Sequence, residues 1–291
     1  MKKDTAYYGF IFTFTAYFIW GLLPLFWKET AHLDPVEVTA HRAIWSLPVA
    51  GLVLWALGRT GDIAPTLKSP RKVGLLFSTS ALVSFNWGLF IWAITVERTL
   101  ETALAYYINP LITVLLAFVF LGDRFNRLQL IAIALAATAV LMLTIVGGAF
   151  PWISVSLAVT FGLYGLIRKT IDVGPSQGFL IEILLIFPFA FGYLVWLEVQ
   201  GTSELFSSPT NFLLLVLAGP ATAIPLILFA FGTKRLKLSS VGLMQFMVPT
   251  MIFLISIFVF KEPLQTVQLF AFIIIWSALA IYAYSIVKEE R

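Results

Sequence analysis

The sequence contains no cysteine, which excludes disulfides, thiolate nucleophiles and cysteine metal sites. Histidine is almost as scarce, with two residues and no carboxylate cluster facing either. Charge is sparse as well: 12% of the 291 residues are Asp, Glu, Lys or Arg, against about 25% in soluble domains. No stretch is polar enough to make a soluble domain, and the longest connections, Gly58–Lys72 and Glu198–Asn211, are too short to fold alone. A phosphate loop of the GxxxxGK[ST] type is missing, so nucleotide bound by this chain is not the expected energy source. No nucleophile–base pair stands inside an apolar run, so an enzyme is not expected. No cofactor is expected either.

What the chain does have is apolar length. Runs of roughly 20 residues, enough to cross a ~30 Å hydrocarbon core as helices, follow one another at Tyr7–Trp27, Val36–Leu57, Val73–Val96, Thr102–Leu121, Leu128–Val146, Trp152–Ile167, Gly178–Leu197, Phe212–Gly232, Val241–Phe260 and Val267–Val287. The reading is an all-α integral membrane protein of ten spans. The first run follows Met1, Lys2 and Lys3 but is too long for a signal h-region and is followed by no small-x-small cleavage site, so it is kept as a span.

The net charge of +4 takes its meaning from where the cations fall. Fifteen of the 19 Lys and Arg flank the spans on the side of the amino terminus: Lys2, Lys3, Arg59, Lys68, Arg71, Lys72, Arg124, Arg127, Arg168, Lys169, Lys234, Arg235, Lys237, Lys288 and Arg291. The other side has Lys28, Arg98 and Lys261. Such an asymmetry, alternating through every connection, predicts both termini in the cytoplasm of a cell (inner) membrane protein. The cations are thus topology determinants, and a nucleic-acid partner is not expected.

The chain also matches itself at an offset of about 140. Asp34-Pro35 meets Gly174-Pro175, Pro48 meets Pro188, and at 139 Pro110 meets Pro249 and Gln129 meets Gln268. Matched prolines at a nearly constant offset predict two five-span repeats, residues 1–148 and 149–291. Five is odd, so the second repeat enters the membrane inverted, a recurrent plan of secondary carriers with the site near the midplane.

The residues that carry a family resemblance are Trp20-Gly21, His41-Arg42-Ala43-Ile44-Trp45-Ser46, Asn86-Trp87, Tyr106-Tyr107-Ile108-Asn109-Pro110-Leu111, Phe161-Gly162-Leu163-Tyr164-Gly165 and Thr222-Ala223-Ile224-Pro225-Leu226. With these the chain resembles the drug/metabolite transporter superfamily, in its EamA-type ten-helix branch, and within that the RarD group, described as chloramphenicol-sensitivity permeases. Glu101-Thr102-Ala103-Leu104-Ala105-Tyr106 departs from the group, where Ser-Leu-Gly is expected before the tyrosine. The resemblance covers essentially the whole chain and implies an exporter-like carrier of small molecules.

A charge in hydrocarbon costs at least ~2.5–3.5 kcal/mol on insertion scales, so intramembrane ions need a reason. Arg42 lies seven residues beyond Pro35, and Glu182 lies seven beyond Pro175. Each is about 10 Å in from its own face at 1.5 Å per residue. Inversion places them in opposite leaflets, so a direct pair is not expected. Arg42 is a candidate to hold a carboxylate or close an outer gate; Glu182 is a candidate to bind an amine or carry a coupling proton. The alternative for each is helix packing through Glu101 or a tyrosine hydroxyl. His41 points away from Arg42 and is expected at the outer interface. Asn86, Asn109 and Gln245 are further candidates, the last two beside the kinks expected at Pro110 and Pro249. Trp20, Trp87, Tyr106, Tyr107 and Tyr164 are expected deep, lining an amphipathic cavity, with ordinary core packing as the alternative. Trp27, Trp55, Trp152 and Trp196 read as interfacial belt residues. The rivals to a carrier of amphipathic metabolites or drugs are a lipid-headgroup or polyprenyl flippase and a non-transporting scaffold.

Overall fold

The computed structural model describes residues 2–121, 126–146, 148–233, 244 and 247–289. The described chain is helical: α1 (Lys2–Glu29), α2 (Pro35–Ala56), α3 (Ile63–Leu67), α4 (Pro70–Thr95), α5 (Thr99–Leu121), α6 (Arg127–Ile145), α7 (Trp152–Thr170), α8 (Pro175–Gln200), α9 (Pro209–Thr233), α10 (Met247–Leu254) and α11 (Thr266–Glu289). α10 runs on into a π-helical turn over Ile255–Val259. The connection 58–72, too short for a domain of its own, carries a 3-10 turn and the short α3.

Six described helices are long and apolar enough to span a bilayer: α1, α4, α6, α8, α9 and α11. α5 adds a seventh if its arms Thr99–Asn109 and Leu111–Phe120, bent by 42°, count as one span. The bend falls at Pro110, which lacks the N–H that would continue the ladder. The apolar helices over Trp152–Arg168 and Met247–Val259 are shorter. Gln245 and its neighbours 241–243 and 246, in the ninth expected span, lie outside the described residues.

Helix starts follow local chemistry. Asp34 accepts hydrogen bonds from the Val36 and Glu37 amides with Pro35 at the first helical position, and Ser69, before Pro70, accepts from the Lys72 amide at the start of α4. Asn126 and Gln129 form a reciprocal capping box on α6. The repeat mate of Gln129 acts alike: the Gln268 side chain accepts from the Gln265 amide at 2.9 Å, as Gln129 does from Asn126 at 3.1 Å.

The helix packing has a regular form. Exchanging α1 with α7, α2 with α8, α4 with α9, α5 with α10 and α6 with α11 turns the most extensive packing pairs into packing pairs. α5 packs on α7 as α10 packs on α1; α2 packs on α9 as α8 packs on α4; α1 packs on α9 as α7 packs on α4. The pairs α2–α8, α5–α10 and α6–α11 map onto themselves. Polar groups collect at the two ends. At one end Lys28 meets Glu97, Arg98 meets Glu101, and Glu262 accepts from the Thr99 and Leu100 amides at the start of α5, both at 2.9 Å. At the other end Lys72 holds Asp172.

The exterior is apolar, with Trp55, Ile145 and Val199 strongly exposed, while Arg42, Glu182, Asn86 and Asn109 are buried. That distribution is the reverse of a soluble protein and matches a lipid solvent. Trp55, Trp152 and Trp196 lie on the outside as expected, but Trp27 does not: it is 0% exposed. The reason is chemical, since its ring covers a buried guanidinium. His41 is likewise enclosed rather than interfacial; α2 turns it inward, with Glu37 Oε1 3.9 Å from its Nε2.

α2 and α9 touch at backbone distance. A Cβ on Gly219 would fall on the backbone of Trp45, which cannot give way as a flexible side chain can. Gly219→Ala is therefore expected to cost about 1–3 kcal/mol of stability and to lower the melting temperature in detergent. Gly165→Ala, at a glycine facing open space, is the control and is expected to leave it unchanged.

Candidate functional site

Arg42 is 6% exposed and sits in the second turn of α2. Its Nε donates to the Thr222 hydroxyl of α9 at 2.6 Å, and Thr222 is in turn tied to the Ala218 carbonyl at 2.9 Å. The guanidinium lies between two indoles, 4.1 Å from the Trp87 ring centroid on α4 and 4.9 Å from that of Trp27 on α1. Each such contact is worth up to about 2 kcal/mol once desolvated. Among the described residues no carboxylate lies within ion-pair distance of it. Below it, Ser46 donates to the Arg42 carbonyl at 2.7 Å and lies 3.2 Å from the Gly219 carbonyl. The site thus holds a cation with aromatic walls, one neutral acceptor and no counter-ion.

Glu182 is 2% exposed on α8. Thr79 of α4 donates to Oε1 at 2.7 Å, the Tyr164 hydroxyl of α7 lies 3.4 Å from Oε2, and Arg168 Nε lies 3.6 Å from Oε1. Ser80 donates to the Glu182 carbonyl at 2.7 Å. Under the helix exchange the two sites correspond: Arg42 on α2 leans on a threonine of α9, and Glu182 on α8 leans on a threonine of α4. They differ in compensation, because Glu182 has its own arginine and Arg42 has no acid among the described residues. No bond between the two is present among the described residues.

The asparagines serve one helix. Asn86 donates to the Leu157 carbonyl at 2.9 Å and to Thr160 at 2.8 Å, while Asn109 donates to the Ala158 carbonyl at 3.1 Å. Both therefore clamp α4 and α5 to α7, around a void of about 10 Å³ lined also by Phe90, Tyr106 and Phe161. Tyr106 meets Phe90 edge-on at 5.9 Å. Tyr107 faces away, its hydroxyl 2.8 Å from that of Thr250 on α10. Trp20 packs on Tyr17 and Phe229. Of the sequence candidates, then, the fold brings Trp87 to Arg42, Tyr164 to Glu182, and Asn86, Tyr106 and Asn109 to one void; Trp20 joins a separate aromatic cluster.

Four residues of these sites escaped sequence reasoning. Trp27 looked like a belt residue from its place at a span end. Arg168 looked like one of many topology cations. Thr79 and Thr222 look like ordinary helix hydroxyls.

An all-helical chain with an apolar exterior and enclosed charges defines a multi-pass membrane protein, and the comparisons place it among transporters. A family model described as the EamA-like transporter family matches residues 7–145. The chain is 39% identical to protein RarD of Streptomyces exfoliatus over 97% of its own length and 90% of that protein. It is 41% identical to the uncharacterized transporter YojE of Bacillus subtilis over 97% of its length and 96% of that one. A solved crystal structure superposes with a TM-score of 0.63 over 97% of this chain and 99% of the other; at 17% identity that likeness concerns fold alone. The chain belongs to the EamA-like transporter family of the drug/metabolite transporter superfamily, in the RarD group.

Proposed function

We propose that this protein is a secondary-active carrier that exports a small amphipathic solute by alternating access, with an anionic group of the cargo bound at Arg42. The observation that carries this reading is the enclosed guanidinium without a counter-ion, stacked between Trp27 and Trp87. An intramembrane charge is expensive and is retained where it serves a pathway, and an arginine fork matches a carboxylate bidentately. Glu182 is the second subsite, open to a cationic group or a coupling proton. The carrier has ten spans in two inverted repeats, 1–148 and 149–291, with both termini in the cytoplasm. The packing exchange supports the repeats, and the family match over residues 7–145 falls within the first of them. Binding between inverted repeats is the recurrent plan of such carriers.

The test is a metabolite screen in proteoliposomes with and without a proton gradient. Gradient-dependent accumulation of a carboxylate-bearing amphipathic compound is expected; equal permeability of empty and loaded vesicles to every compound would overturn the reading. Orientation has its own test, made simple by the absence of native cysteine. Thr202→Cys and Glu29→Cys are expected to react with an impermeant thiol reagent applied to intact cells, and Lys68→Cys only after permeabilisation. Reversed labelling would break the assignment.

A further inference from the structure

Arg168 reaches Glu182 by an unusual route. It starts at the last turns of α7 and crosses the first turn of α8, where Nη2 lies 3.4 Å from the Gly174 carbonyl and Nε lies 3.6 Å from Glu182 Oε1. The crossing is possible because residue 178 has no side chain: a Cβ there would coincide with the Arg168 guanidinium, with Nη1, Cζ and Nη2 its three nearest atoms. The amino-terminal end of α8 is electropositive and disfavours a cation. The Glu182 carboxylate, itself oriented by Thr79 and Tyr164, faces the guanidinium there, together with the Gly174 carbonyl. The carboxylate is thus a fully built cation site, and its present occupant belongs to the chain.

We propose that Arg168 is a tethered occupant of a cation site at Glu182, seated in a slot made by Gly178, and that an ammonium or amidinium group of the cargo binds Glu182 by displacing it. The proposal deepens the carrier reading and rests on it for its physiological meaning. Arg168 is then a specificity-determining residue: it sets a threshold that neutral solutes do not pass. It also keeps Glu182 compensated when no cargo is present, which Arg42, with no acid near it, does not enjoy. No covalent bond is made or broken; one cation replaces another at the Glu182 carboxylate.

Equilibrium binding to the purified full chain in detergent tests this without any transport assay, so its outcome is separate from whether the chain is a carrier. The titrant is benzamidine, an aromatic amidinium, with neutral benzamide as its isosteric control. Arg168→Gln removes the occupant, and Gly178→Ala fills the slot while keeping both charges; the displaced group is the far end of a flexible side chain, so this variant is expected to fold. Either is expected to bind benzamidine roughly tenfold tighter than the unaltered chain, the scale of one charge-assisted hydrogen bond, with benzamide unchanged. Adding Glu182→Gln to either is expected to remove the gain. Unchanged benzamidine affinity in Gly178→Ala, a gain that survives Glu182→Gln, or an equal gain for benzamide would each overturn the proposal.

Discussion

Glu182→Gln is expected to abolish gradient-driven accumulation of cargo while exchange of labelled for unlabelled cargo continues. The substitution keeps the volume and the acceptor that Thr79 uses at 2.7 Å, and it removes both the negative charge and the site where a proton is gained and lost. If proton movement and cargo movement share this carboxylate, uncoupling is complete: accumulation falls to the equilibrium distribution, while counterflow, which needs no gradient, is retained in part. Arg168, 3.6 Å from Oε1 in the unaltered chain, loses its anchor in this variant, so the last turn of α7 and the first turn of α8 are expected to loosen, measurable as faster amide exchange. Gradient dependence like that of the unaltered protein in Glu182→Gln would end the coupling assignment, whatever the variant's stability.

The second large effect is expected at Arg42, and it has opposite signs on function and stability. Arg42→Lys keeps the charge but loses the planar face that lies 4.1 Å and 4.9 Å from two indole centroids, together with the Nε donor to Thr222. A lysine ammonium is a more strongly hydrated point charge without the fork that grips a carboxylate at two oxygens. Affinity for carboxylate cargo should fall by about 10–100-fold, the equivalent of one or two charge-assisted hydrogen bonds, with a neutral analogue of the same shape unaffected. Arg42→Met goes further. It removes a buried charge that has no acid beside it, and replacing a buried ion by an apolar side chain of similar length is often neutral or stabilising by about 1–4 kcal/mol. A variant that melts higher in detergent yet fails to transport is the expected result. Should Arg42→Met melt lower and transport normally per folded molecule, the arginine is a packing element and the anion site is elsewhere.

These expectations depend on contacts that the residues alone did not show. Arg42 and Glu182 were conspicuous from the sequence, because a charge seven residues inside an apolar run is costly whatever surrounds it. Their expected depth was read from helix rise, and opposite leaflets were expected from an odd number of spans per repeat. The partners did not follow. Thr222 lies 180 residues from Arg42 and Thr79 lies 103 from Glu182; such pairs depend on which helix faces which, and an apolar helix of nearly uniform hydropathy does not announce its buried face. The same uniformity hid the turn of Trp27 inward. A tryptophan at a span end suits the interface by its amphipathic ring, and only the reach of Arg42 from α2 to that ring on α1 turns it into a cover for a guanidinium.

What the sequence by itself determined is the class: an apolar chain with too few charges for water and with runs long enough to cross a bilayer. Those are properties of composition and order, and lipid solvation acts on them directly. The tertiary structure decided the compensation of each buried group. It gave Glu182 an arginine by leaving residue 178 without a side chain, and it gave Arg42 two aromatic faces and no acid. Compensation is a matter of distance across helices, and distance across helices comes from packing of whole surfaces, which no single residue encodes.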